Sequence, residues 1–373
     1  MSAFDRSDNS IVGRWWWTVD RWSLAAVVLL AAFGVFMALA ASPAVAERIG
    51  LDSFSFLRRQ IALLVPAVAL MFAISLLSPR GVRRVALAAF IIAIVLLAAT
   101  FFMGFEVKGA RRWISLAGLT LQPSEFVKPA FAVISAWLFA ANRADPSFPG
   151  NIIAIALYGL VAGLLIMQPD FGMAVVISTV WFAQLFVAGL PMIWVGVMAL
   201  AGVAGMVGAY TFLPHVASRI DRFLDPSQGD GFQIGRSLDA FARGGLFGRG
   251  PGEGTVKLVI PDAHADFVFA VMGEEFGMIA CLVLVALFAF VVLRGLSRML
   301  IETNLFIMLA VTGLLAQFGL QAFINMGSTV SLMPTKGMTL PFISYGGSSL
   351  LAIAFGMGMA LALTRRRPVQ ETL

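Results

Sequence analysis

Apolar residues in this chain come in long unbroken runs, not at the three-and-four spacing of a surface helix or the alternation of an exposed strand. Ten runs can be read, near 22–42, 60–77, 85–103, 123–141, 152–168, 172–189, 192–213, 267–294, 304–326 and 344–364. Each approaches the roughly 20 residues of helix that cross a bilayer. The pattern predicts an all-α polytopic membrane protein of about ten transmembrane helices, with one large loop between spans seven and eight. The first run is followed by small residues at Ala44-Val45-Ala46, as a cleaved leader would be. Its apolar stretch is too long for a leader, so it reads as an uncleaved first span.

Composition supports the same class. Of 373 residues, 60% are hydrophobic and 12% charged, whereas a soluble chain carries about 25% charged residues. One cysteine, Cys281, excludes an intrachain disulfide, and with only two histidines, His215 and His264, a zinc site is not expected. There is no Walker A motif for an ATP-driven pump. The glycine-rich stretch 248–254 lacks phosphate-loop spacing and has no strand before it. Nothing in the chain points to nucleic acid.

Ten spans put both termini on one side. Twelve basic residues lie on that side: Arg6, Arg14, Arg21, Arg80, Arg83, Arg84, Arg143, Arg294, Arg298 and Arg365 to Arg367. The short loops opposite hold seven: Arg48, Arg58, Arg59, Lys108, Arg111, Arg112 and Lys336. That difference favours cytoplasmic termini. It divides the chain into a cytoplasmic tail 1–21, a membrane domain 22–364 and a cytoplasmic tail 365–373. The large loop, 214–264, adds six more cations to the outer side, making thirteen there, so charge alone orients the chain only weakly. Outer cations that the sorting rule disfavours are explained most simply by an anionic ligand. The loop itself is too long to be only a connection.

Five polar constellations interrupt the apolar pattern. In Pro261-Asp262-Ala263-His264-Ala265-Asp266-Phe267, a carboxylate stands where the loop enters the eighth span. An acidic residue at membrane depth costs about 2.5–3.5 kcal/mol, which marks Asp266 as functional unless it caps the helix. Lys108, Arg111 and Arg112 precede Trp113 in an outer loop. They form either a diphosphate clamp or an interfacial anchor. In Gln122-Pro123-Ser124-Glu125-Phe126-Val127-Lys128-Pro129, Glu125 and Lys128 share a helix face three residues apart and can pair. Gln168-Pro169-Asp170-Phe171-Gly172 is a tight turn in which Asp170 can satisfy backbone groups. The prolines and glycines of 334–349 mark irregular backbone at membrane depth, tolerated only where protein buries it or it lines a cavity. Within span eight, helical geometry lets Glu274 share a cavity with Asp266, while Glu275 faces nearly the opposite side and either may pair with a neighbouring helix.

In this order across ten spans, KGARRWI, QPSEFVKP, QPDFG, PDAHADFVFAVMGEEFG and PTKGMTLPFISYGGSS resemble the SEDS family (shape, elongation, division and sporulation) over nearly the whole chain. Two segments, MPTKGMTLPFISYGGSS and VMGEEFG, resemble the division member more than the elongation member. The resemblance implies a peptidoglycan glycosyltransferase of the bacterial inner membrane that polymerises lipid II on the periplasmic face at the division septum. It places the essential aspartate on Asp266 and marks Arg112, Glu125, Lys128, Asp170 and Lys336, with Lys108 and Arg111 beside them as substrate-binding candidates. It also implies work with a class B penicillin-binding protein transpeptidase and other division proteins. The chain departs from the family at Phe232 and Arg236, where relatives more often carry a tyrosine and a neutral polar residue.

The chemistry agrees. Extending a glycan needs a base for a sugar 4-hydroxyl attacking an anomeric carbon, and one carboxylate suffices for an inverting displacement. The diphosphate leaving group needs positive charge, from Lys and Arg or from a divalent cation such as Mg or Mn. The alternative readings are a lipid II flippase, since cations and broken helices also suit a transporter, the elongation-type polymerase of the same family, and a non-catalytic scaffold of the division machinery.

Overall fold

The structure is a computed structural model that describes residues 10–48, 50, 52–107, 110–116, 119–224, 231–260, 262–334 and 337–366. A short helix, α1 (Ile11–Thr18), precedes the first span. The spans are α2 (Arg21–Arg48), α3 (Ser55–Ser75), α4 (Pro79–Met103), α5 (Pro123–Ala144), α6 (Gly150–Met167), α7 (Phe171–Val187) and α8 (Met192–Phe212). Two loop helices follow, α9 (Pro214–Leu224) and α10 (Gly231–Gly244), and then the last three spans, α11 (Val268–Met299), α12 (Leu305–Thr329) and α13 (Gly347–Leu363). Among the described residues eight helices are long and apolar enough to cross a membrane, and α7 and α13 are shorter apolar helices. Each of the ten expected runs therefore contains a helix, and the protein is an integral membrane protein.

Helix ends follow local chemistry. Pro79 and Pro123 sit in the first turns of α4 and α5, where the missing N–H costs nothing. Ser78, Asp170 and Asn304 cap α4, α7 and α12 by accepting from Gly81, Met173 and Ile307 amides. The short α13 is preceded by the irregular segment 337–346, whose Leu340, Phe342 and Ile343 are buried, so protein surrounds the backbone that helix does not satisfy. Gly34 of α2 makes room there, since a side chain would strike the Phe342 carbonyl.

The centre of the bundle is α5, α12 and α13. About three quarters of the apolar windows of α5 and α12 is buried (78% and 72%), against 6% for α8, which packs mainly on α9. The start of the first span and the end of the last meet on one face: the Arg366 amide and the Arg365 guanidinium reach Thr18, and Arg298 reaches the Thr364 carbonyl. Asp20 joins them by pairing with Arg294 at 2.9 Å and Arg298 at 3.1 Å. Residues 18–20 and 364–366 thus share a side, as the even span count requires.

Two features lie beyond the sequence reading. The loop after α4 contains a three-stranded antiparallel sheet, β1 (Phe105–Val107), β2 (Ala110–Leu116) and β3 (Leu119–Leu121), in the order β1-β2-β3. The large loop is also not irregular throughout. Its α10 packs on α11, burying Ala240, setting Phe241 against Gly273 and donating from Ser237 Oγ to the Thr329 carbonyl at 2.6 Å.

Candidate active site

The site lies opposite the termini, where four segments converge. The first is 262–267, a run of turns leading into α11. The Asp266 amide donates to the Asp262 carbonyl at 3.0 Å, and Asp262 takes a positive φ of 54°. Asp266 is not the cap residue of α11, because the cap position falls on Phe267. Its carboxylate instead lies against the second segment: a Cβ at Gly337 would sit 3.4 Å from Asp266 Oδ2. Asp266 is half-buried, open to solvent and framed by two backbone segments.

His264 locks the same junction. Its carbonyl accepts from the Tyr345 amide at 3.0 Å, and its ring packs between Phe56 and Tyr345, with centroids 4.5 and 5.3 Å away. Burial pushes the His264 imidazole below its usual range, Asp262 pulls it back up and Arg48 adds to the depression.

The third segment is the start of α5. Lys128 and Glu125 pair at 2.8 Å, with side chains only 1% and 8% exposed. Lys128 Nζ also donates to Gln321 Oε1 of α12 at 2.9 Å. Gln321 in turn donates to the Thr339 carbonyl at 3.1 Å and to Ser349 Oγ at 3.3 Å. One turn further along, Asn325 Nδ2 donates to the Asp266 carbonyl at 3.1 Å and to the Met338 carbonyl at 2.6 Å. The ion pair therefore reaches the Asp266 junction through two amides.

The fourth segment is the loop 244–258, bound to the outer part of α11. Gly277 interrupts that helix with φ 78° and ψ 179°, a conformation natural only to glycine. The break releases the Glu274 and Glu275 carbonyls, which accept from the Arg249 and Gly250 amides at 3.0 Å each. The Met278 and Ile279 amides donate to the Gly245 and Leu246 carbonyls. Both glutamate side chains join the same loop. Buried Glu274 accepts from the Thr255 and Val256 amides, and Glu275 pairs with Lys257 at 2.6 Å. A straight helix would send the two glutamates to different neighbours. Here the loop lies across both, so neither pairs with another span and Glu274 is not open to a cavity shared with Asp266.

Arg112 and Asp170 are brought together elsewhere on this face. Arg112 of β2 donates to the carbonyls of Gln168 and Pro169 and lies 3.8 Å from Asp170 Oδ1. Asp170 is the cap of α7, so both hold the turn in place. Arg111 is exposed and lies 3.9 Å from Glu106. Arg236 faces Asp239 along α10 at 3.4 Å. Lys108, Lys336 and the side chain of Phe232 lie outside the described residues.

A family model described as a cell cycle protein, FtsW/RodA/SpoVE, matches residues 21–368. The chain belongs to this family. Among its relatives, the protein of Caulobacter vibrioides named as a probable peptidoglycan glycosyltransferase FtsW is 46% identical over 98% of this chain and 94% of its own length. The like-named protein of Coxiella burnetii is 35% identical over 93% of this chain and 96% of its own. Two solved structures share the architecture. One, described as a peptidoglycan synthase complex that coordinates polymerization and crosslinking, superposes with a TM-score of 0.76 at 29% identity, covering 93% of this chain and 97% of the other. The other, the Thermus thermophilus rod shape determining protein RodA, gives 0.68 at 29% identity over 94% and 97%. FtsW-named relatives matching end to end fit the division-type resemblance of the motifs.

Gln321, Asn325 and Tyr345 were not among the sequence candidates. A signal for the amides existed: Gln317, Gln321 and Asn325 recur every four residues in an otherwise apolar span, which puts three polar groups on one face.

Proposed function

We propose that this protein polymerises lipid II into glycan strands during septal wall synthesis, with Asp266 as general base. The observation that carries the reading is the placement of Asp266. Glu125, Asp170, Glu274 and Glu275 are all buried in the bundle, whereas Asp266 is half-buried where the 262–267 turns enter α11, opposite the face that holds Thr18 and Thr364. Such a carboxylate meets both a lipid-borne substrate and solvent. In the proposed step Asp266 takes the proton of a sugar 4-hydroxyl as that oxygen bonds to the anomeric carbon of the second lipid. The bond from that carbon to the diphosphate breaks, and the diphosphate leaves with the electron pair. The Arg112 guanidinium, with Arg111 on the same strand, supplies charge for the departing oxyanions, and the sequence assigns Lys108 and Lys336 the same role. Lys128 and Glu125 serve from within the bundle, and Asp170 through its hold on Arg112.

Among the described residues no group of three His, Cys, Asp or Glu could hold a metal ion. A divalent cation such as Mg or Mn would be held here chiefly by the substrate diphosphate, and no step is assigned to it. In this reading the termini are cytoplasmic, the site faces the periplasm, and the protein lies in the inner membrane at the septum. A class B penicillin-binding protein is its crosslinking partner, alongside other division proteins. Support comes from the FtsW-named relatives and from the synthase complex of like fold. The test is lipid II polymerisation by the purified protein, alone and with its transpeptidase. Asp266→Asn keeps volume and loses proton acceptance, so it should lower turnover by about 100-fold or more. Polymerisation by Asp266→Asn at the parent rate would refute the base assignment.

A further inference from the structure

Two buried side chains of α12 have no role in the chemistry above, yet they touch both segments that meet at Asp266. Gln321 and Asn325 are each 1% exposed and lie one turn apart on one helix face. Asn325 spends both amide hydrogens on main-chain carbonyls, those of Asp266 and Met338. One bond holds the turn before α11; the other holds the irregular segment beside Gly337, against which the Asp266 carboxylate lies. Gln321 grips the next residue of that segment, Thr339, and receives Lys128 on its other side. The 337–346 segment has no ladder of its own at this point, so its register depends on such side-chain donors. An orphaned carbonyl at this depth would cost about 1–3 kcal/mol, enough for the backbone to shift and seek another partner.

We propose that Gln321 and Asn325 are positioning residues that set where the Asp266 carboxylate stands, and that Gln321 extends this control to the Glu125–Lys128 pair. The inference rests on Asp266 being the base. A misplacement of about 1 Å costs roughly 100-fold in rate. Accordingly Asn325→Ala and Gln321→Met should each lower kcat for lipid II polymerisation by about 10–100-fold, with KM changed less than about twofold because substrate is not touched.

The control is Gln184 of α7, another buried amide that donates to two main-chain carbonyls, Ala132 at 2.7 Å and Leu309 at 3.0 Å. Gln184→Met loses two bonds, as many as Asn325→Ala, away from the site and should keep kcat within about threefold. A separate readout uses Asp266→Cys, labelled by a membrane-impermeant maleimide; the native Cys281 is buried and contributes little. Adding Asn325→Ala should change the labelling rate several-fold, whatever Asp266 does in the reaction. Should Asn325→Ala not fold, Gln321→Met and Thr339→Val, which removes a hydroxyl from the same grip, carry the test. The clamp is overturned if folded variants keep kcat, if Gln184→Met loses as much turnover, or if labelling is unchanged. An active Asp266→Asn would instead overturn the base reading alone.

Discussion

Lys128→Met isolates the energetics of the buried pair. The lysine Nζ holds Glu125 at 2.8 Å and Gln321 at 2.9 Å, with side chains 1% and 8% exposed across the pair. Methionine fills similar volume and strands Glu125 with its charge inside the bundle. Removing one partner of a buried pair costs about 3–5 kcal/mol. Adding Glu125→Gln removes that charge, leaving chiefly the acceptor of Gln321 without its donor, about 1–3 kcal/mol. The double variant should therefore recover roughly half or more of the lost stability. Thermal unfolding of both variants in the same detergent gives the ranking, and polymerisation of lipid II gives the turnover. Turnover of the double variant should stay low, because Gln321 still lacks Lys128. A single variant as stable as the parent would refute the burial argument. Recovery of both stability and turnover in the double variant would make the pair structural only.

Other outcomes follow from individual contacts. His264 is held neutral by burial, with its folded pKa depressed from the ordinary 6.5. The unfolded chain takes a proton there first, so stability is full above 6.5 and declines as pH falls below it. His264→Phe should flatten that decline in thermal melts between pH 7 and 5, and an unchanged slope would count against it. Gly277→Ala places a methyl on the Leu246 carbonyl and Gly248 amide at a positive φ. It should destabilise by more than the about 1 kcal/mol of left-handed strain alone and raise amide exchange in 245–250, while exchange at the parent rate would show that the loop does not depend on the break.

How much of this was legible in the sequence depends on the length of the signal. The spans were, because runs near twenty residues overwhelm any local ambiguity, and α7 and α13 were found despite being shorter. The sheet was not, because β1 and β3 are three residues each, below any alternation that can be counted. The break at Gly277 was hidden for a different reason: Val-Met-Gly-Glu-Glu-Phe-Gly-Met-Ile reads as helix with two misplaced acids, and only the loop 244–257 shows why the acids are there. Pairing of Glu125 with Lys128 followed from spacing. That Arg112 and Asp170 meet did not, since they are 58 residues apart and joined by backbone carbonyls that carry no sequence mark.

The substitution of loop bonds for helix bonds at Gly277 also decides which parts of the molecule are mechanically one piece. Inward of the break, α11 is tied to its own ladder and to α12. Outward of it, the Glu274 and Glu275 carbonyls and both glutamate side chains are bound by 245–257, and the first amides beyond it, Met278 and Ile279, reach the same loop, so a pull on the loop is delivered at the break, on the stretch of α11 that leads back to the turn carrying Asp266. A partner seated on α10 or on the 244–258 strap would thus hold a short lever whose far end is the Asp266 turn, with glycine as its pivot.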